Sequence, residues 1–160
     1  MKFGLMGTSS SGKTTLAKQL SEYFKFDIVK EIARKYPREL LGFESIQYDI
    51  FFDQMRSEMF SGKNVITDRT CIDNYIYINY HFKPRKYLLN LIRAWVQTYD
   101  LIFLCKKLDF IEDGFRSRNN IENDLINFFK NNLIEYEILE GNKEERFEKA
   151  KNIINRKLNK

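Results

Sequence analysis

The sequence holds little that would cross-link, anchor or stiffen a chain. Its two prolines, Pro37 and Pro84, fall where helical patterns break, so there is no Pro-rich linker. The two cysteines, Cys71 and Cys105, lie in apolar segments without C-x-x-C spacing. That excludes a disulfide framework and predicts free core thiols in a reducing, cytoplasmic setting. The single histidine, His81, excludes a histidine-based metal site and is expected to be structural. The single tryptophan, Trp95, sits within LLNLIRAWV and is expected in the core. No apolar run is long enough to cross a bilayer, and no signal peptide, repeat or low-complexity stretch is present.

What remains is a chain of 160 residues, suited to one domain spanning 1–160 with a substantial core. With 43% hydrophobic and 31% charged residues it reads as globular. The net charge of +5 suits a protein that handles phosphates, and it also permits nucleic-acid binding. The basic end, KEERFEKAKNIINRKLNK, interleaves Glu with Lys along a helical pattern, which reads as a solvated helix face.

One stretch is specific. Gly7-Thr8-Ser9-Ser10-Ser11-Gly12-Lys13-Thr14 matches the phosphate-loop pattern GxxxxGK[ST], between an apolar strand-like KFGLM and a helical pattern with Leu16, Leu20 and Phe24. The glycines, with Ser10 and Ser11, let backbone N–H groups converge on an anion at a helix N-terminus. Lys13 can reach the β- and γ-phosphates, the Thr14 hydroxyl can ligate Mg²⁺, and Thr15 can contact the α-phosphate. The expected ligand is a nucleoside triphosphate, ATP, with Mg²⁺.

Five short apolar segments predict strands at Lys2–Met6, Phe26–Lys30, Asn64–Thr67, Leu101–Cys105 and Tyr136–Leu139. Helical patterns fill 12–24, 44–61, 71–81, 85–98, 119–132 and 143–158. Strands alternating with helices predict an α/β fold, a mostly parallel five-stranded sheet with helices on both faces. Ligands of such sheets bind outside the carboxyl ends of the strands, so the residues just after each strand are the candidates.

After the second strand, Glu31 and Arg34 share a face of one helical turn. Glu31 can accept a hydrogen bond from an acceptor hydroxyl, and Arg34 can hold a phosphate or orient Glu31; the plain alternative is a surface ion pair. After the third strand come Asp68 and Arg69. Asp68 can act as general base or hold Mg²⁺ through water, and Arg69 can clamp a phosphate. Asp73, Tyr75, Tyr77 and Tyr80 follow; most of these tyrosines should face the core, while one near the helix start, such as Tyr75, can stack on a base. After the fourth strand, KKLDFIEDGFRSRNN places Arg116 and Arg118 in a polar loop that suits a lid over about 109–120. Its arginines would stabilise the transferring charge.

In order, GTSSSGKTT, EIAR, TDR and DGFRS, followed by a last strand and helix, cover nearly the whole chain. In that order they resemble the small P-loop kinases of the NadR type, an AAA-like group that includes nicotinamide riboside kinases, and the wider nucleoside and nucleotide kinases. The resemblance implies strand order 2-3-1-4-5. It also implies triphosphate and Mg²⁺ on Lys13 and Thr14, Arg116 on the lid, and Glu31, Asp68 and Arg69 toward the acceptor. Asp68-Arg69 is more similar to the Asp-Arg element of thymidylate and deoxynucleoside kinases than to its NadR counterpart. The adenylyltransferase domain of NadR is not expected in this chain.

The leading expectation is a kinase that moves the γ-phosphoryl group of ATP to a small nucleoside or nucleotide. A nucleic-acid kinase acting on a 5′ end or modified base is the first alternative, although acids interleave with the bases everywhere. A nucleotide-driven switch or binding module is the second. CKKLDF lacks the asparagine of a guanine-reading Asn-Lys-x-Asp, which argues against a GTP switch.

Overall fold

The computed structural model describes residues 1–106 and 122–159. The strands are β1 (Lys2–Met6), β2 (Asp27–Val29), β3 (Val65–Asp68), β4 (Leu101–Cys105) and β5 (Glu137–Leu139). They form one sheet in the order β2-β3-β1-β4-β5, and every pairing is parallel. A parallel pair needs a crossover, and the helices supply it. They are α1 (Lys13–Phe24), α2 (Glu44–Met59), α3 (Cys71–His81), α4 (Lys86–Val96), α5 (Glu122–Asn131) and α6 (Lys143–Leu158). Two 3₁₀ turns, Ile32–Lys35 and Arg38–Leu40, lie between β2 and α2.

Side chains alternate across a strand, so a sheet covered on both faces needs two sets of apolar residues. Phe3 and Leu5 of β1 and Phe103 and Cys105 of β4 join the layer built with Leu16, Leu20, Ala150 and Ile154 of α1 and α6. Met6, Ile102 and Leu104 point the other way, into a layer with Phe51, Ile72, Ile92 and Phe129 from α2 to α5. Burying a Phe such as Phe103 fully contributes about 1.5–3 kcal/mol. Cys71 and Cys105 fall in different layers and are free and buried, as expected.

The differences from expectation are local. β3 ends at Asp68, one residue later than its apolar run, because its pairing with β1 continues to Leu5↔Asp68. EIAR forms a 3₁₀ turn, in which residues three apart eclipse, so Glu31 and Arg34 still meet. Trp95 is half-buried at the rim of its layer, where its indole N–H donates to Glu58 at 2.8 Å. His81 is exposed at the end of α3, packed against Tyr77 and Tyr80. Tyr75 is buried with its ring 5.5 Å from Phe128, while Tyr80 is exposed. The expected lid at 109–120, with Arg116 and Arg118, lies outside the described residues. Among the described residues, no helix is long and apolar enough to cross a membrane.

Gly4 fixes how closely β1 approaches the start of α3. A Cβ there would sit 2.8 Å from Thr70 Cγ2 and 3.2 Å from the Tyr99 ring. Thr70 cannot swing away freely, because its hydroxyl caps α3 by accepting from the Ile72 N–H at 3.1 Å. Gly4→Val should therefore cost about 1–3 kcal/mol by overpacking, read as a lower urea midpoint at unchanged slope.

Candidate active site

The site forms at the carboxyl ends of β1, β2 and β3. Gly7 leaves β1 with φ 136°, and a Cβ on it would lie 2.4 Å from the Cys105 carbonyl oxygen. Only glycine fits there, so the loop can pass directly over the end of β4. Ser10 and Gly12 also have positive φ, at 58° and 78°. Alternating hands of this kind turn successive N–H groups inward, the geometry of an anion nest. Gly12 caps α1, and Leu16 N–H donates back to its carbonyl at 3.0 Å.

Lys13 is buried and folds back into the loop, donating to the Thr8 carbonyl and to Ser11 Oγ. Burial, then the nearby Arg69 charge, lowers its pKa from an ordinary 10.5 to about 7. Thr14 Oγ1 donates to Asp68 Oδ2 at 2.7 Å. The second oxygen of Asp68 is buried without a hydrogen-bond partner among the described residues. Burial raises the Asp68 pKa against the pull of Thr14. Such a carboxylate oxygen beside a threonine hydroxyl fits a hard divalent cation, and Mg²⁺ takes few protein ligands when phosphates supply the rest. Among the described residues no cluster of three or more His, Cys, Asp or Glu suits a metal by itself.

Arg69 follows directly, in the left-handed region at φ 80°, uncommon for a residue with a long side chain. Its Nε donates to Glu31 Oε1 at 2.6 Å, and Nη1 reaches the Gly7 carbonyl at 3.3 Å and Asp73 Oδ1 at 3.4 Å. Burial opposes its charge, but Glu31 and Asp73 outweigh that and hold it firmly protonated. The other Glu31 oxygen accepts from Arg34 Nε at 2.8 Å. Asp73 also closes the α3 cap, accepting from the Thr70 N–H at 2.9 Å.

A cleft of about 190 Å³ opens among these groups, lined by the loop from Ser9 to Thr15 together with Glu31, Arg34 and Arg69. The expected loop residues from Ser10 to Thr15, with Glu31, Arg34 and Arg69, thus meet on one opening, while Gly7 is not part of its lining. Asp68 lies beneath, bonded to Thr14, and Tyr75 is turned into the core rather than into the cleft. Sequence reasoning missed Arg146. It is buried, and it donates to the Ser11 carbonyl at 2.7 Å and the Gly141 carbonyl at 2.8 Å. It braces the phosphate loop from α6, a helix read as a solvated face. Its only sequence signal was its place three residues after Lys143, on the same side as Ala150 and Ile154.

The folded-state pKa of Lys13 lies below its unfolded value. The unfolded chain therefore holds the extra proton between about pH 7 and 10.5, and the Lys13 contribution to stability rises with pH across that window. An anion bound beside Nζ favours the charged form. Triphosphate binding at about pH 8 should take up a proton, seen in calorimetric titrations as a dependence on buffer ionisation enthalpy. A buffer-independent heat would contradict it. Lys13→Ala should abolish most of the binding.

Comparison with known proteins agrees with this geometry. An AAA-domain family model matches residues 2–146. No curated protein matches. Among solved structures, deoxyadenosine kinase from M. mycoides with bound dCTP superposes with a TM-score of 0.71 at 16% identity, over 97% of this chain and 99% of that one. NadR protein in complex with NR gives 0.73 at 23% identity, over 93% of this chain and 49% of that one, so this chain spans about half of it. Thymidylate kinase from Ehrlichia chaffeensis gives 0.60 at 19% identity, over 96% and 98%. These likenesses establish the fold, that of the small P-loop kinases. By its sequence the chain belongs to the AAA-domain family.

Proposed function

We propose that this protein is a phosphotransferase that moves the γ-phosphoryl group of ATP to a small nucleoside or nucleotide acceptor, in the cytoplasm. The observation that carries the reading is the meeting, on one cleft, of a phosphate loop with a carboxylate held between two guanidiniums, Glu31 between Arg34 and Arg69. A triphosphate switch has no use for such a carboxylate beside its phosphates. A kinase does, because an acceptor hydroxyl must be held and aimed.

The loop N–H groups and Lys13 would bind the β- and γ-phosphates, with Thr15 on the α-phosphate. Thr14 and Asp68 would hold Mg²⁺, which when bound neutralises charge on the β- and γ-oxygens. Glu31, on the cleft, would accept the hydrogen bond of the acceptor hydroxyl, and Arg69 would keep it in place. This arrangement favours Asp68 on the metal side and Glu31 as the acceptor-side base, since Asp68 is bonded to Thr14. Arg116 and Arg118 stay candidates for charge over the phosphates on sequence grounds. Tyr75 is proposed only to support the acceptor side from within the core. Two buried free thiols support the reducing compartment.

The test is a transfer screen with γ-labelled ATP and Mg²⁺ against nucleosides, deoxynucleosides, monophosphates, nicotinamide riboside and 5′-hydroxyl DNA. Label on one small molecule is the expected result. Label on DNA alone, or no transfer despite ATP binding, would overturn it. Glu31→Gln should lower turnover about 100-fold with triphosphate affinity nearly unchanged. Asp68→Asn should instead weaken the response to Mg²⁺.

A further inference from the structure

A buried polar network lies behind Arg69 on the side away from the cleft. Glu58, near the end of α2, is buried, yet its carboxylate is fully engaged. One oxygen accepts from Lys2 Nζ at 3.1 Å, Trp95 Nε1 at 2.8 Å and the Tyr99 hydroxyl at 2.6 Å. The other accepts from Gln54 Nε2 at 2.9 Å. Gln54 stands one turn earlier on the same helix face and is also buried. Its Nε2 donates at 3.2 Å to the backbone carbonyl of Arg69 as well. The Arg69 N–H is held from the other side by the Leu5 carbonyl at 3.0 Å.

We propose that Gln54 is a positioning residue for the cleft, set in place by Glu58, and that it acts through the backbone of Arg69. A left-handed conformation at a non-glycine residue persists only where its surroundings over-determine it. Here both polar groups of the Arg69 backbone are tied, one by β1 and one by Gln54. That conformation swings the guanidinium from β3 toward Glu31 and Gly7. Lys2, Trp95 and Tyr99 hold Glu58, Glu58 holds one N–H of the Gln54 amide, and the other N–H faces Arg69. Without Gln54 the carbonyl loses its buried donor, residue 69 relaxes, and the bond to Glu31 is lost, while the phosphate loop, which also loses the Gly7 contact, keeps its Lys13 bonds and the Arg146 brace.

The geometry stands by itself, and its kinetic consequence rests on the kinase reading. Two measurements on the full chain separate them. The first is the arginine Nε–H spectrum of ¹⁵N-labelled protein, with the Arg69 signal assigned by its loss in Arg69→Lys. A shifted, slowly exchanging signal is expected in the unaltered protein and should vanish in Gln54→Leu. Glu58→Gln should weaken it, and carries the test if Gln54→Leu does not fold. An intact signal in a folded variant overturns the proposal. The second is turnover. Gln54→Leu should lose about 10- to 100-fold in kcat with a much smaller change in triphosphate affinity. It should lose nothing further in the Arg69→Lys background, whereas losses that multiply would mean a merely structural role and overturn the proposal. If the unaltered protein transfers phosphoryl to no acceptor, the kinase reading falls and the Nε–H spectrum alone decides.

Discussion

A single buried guanidinium ties the three loops of the site together. Arg69 sits at the end of β3 and reaches Glu31 after β2, the Gly7 carbonyl after β1, and Asp73 at the start of α3. A buried cation lacking even one of these partners would be costly, because its desolvation is repaid only by close opposite charges. Two carboxylates and a carbonyl repay it here. The same bonds fix the distance between the phosphate loop and Glu31, so charge balance inside the protein and the dimensions of the cleft are one constraint. The left-handed backbone at Arg69 is the local strain that makes the reach attainable.

The phosphate loop depends on support from both faces of the sheet. From one face Arg146 of α6 holds the Ser11 carbonyl, and from the other Asp73 of α3 approaches the Gly7 N–H at 3.4 Å. Between these braces Lys13 satisfies its donors within the loop itself. Two functions follow from one arrangement. The loop's carbonyl and hydroxyl engage the lysine, and burial leaves that amine only about half protonated near pH 7, so an anion placed beside it would favour its charged form.

Much of this was legible in the chain. Parallel strands buried on both faces read as short apolar runs, and all five appear within a residue or two of where those runs lie. The phosphate loop is legible because backbone geometry demands its glycines at fixed spacing. The acid–arginine pairs were legible from position alone, since the carboxyl ends of parallel strands are where ligands bind. What stayed hidden depends on distance in space. Arg146 looks like any other charge in an alternating helix, because its partners are backbone carbonyls, which no sequence pattern advertises. Glu58 and Gln54 look like a solvated i, i+4 pair, and only the packing of Lys2, Trp95 and Tyr99 around them makes them interior. Trp95, expected in the core, packs only partly into its layer, with its N–H turned to the buried Glu58.

The adjacent residues Asp68 and Arg69 show how one backbone step divides a site. Asp68 is the last extended residue of β3, and its carboxylate turns toward Thr14 and the phosphate loop. Had the strand continued, Arg69 would have pointed to the opposite face of the sheet. The positive φ at Arg69 instead carries its guanidinium sideways to Glu31. On the proposed reading, the metal-side acid and the clamp for the acceptor-side acid are thus set by consecutive residues, with no loop between them to drift. The cost is a strained backbone that needs anchoring, and the two atoms that anchor it, the Leu5 carbonyl and Gln54 Nε2, belong to the strand that leads into the phosphate loop and to a helix whose next turn ends in a buried ion pair.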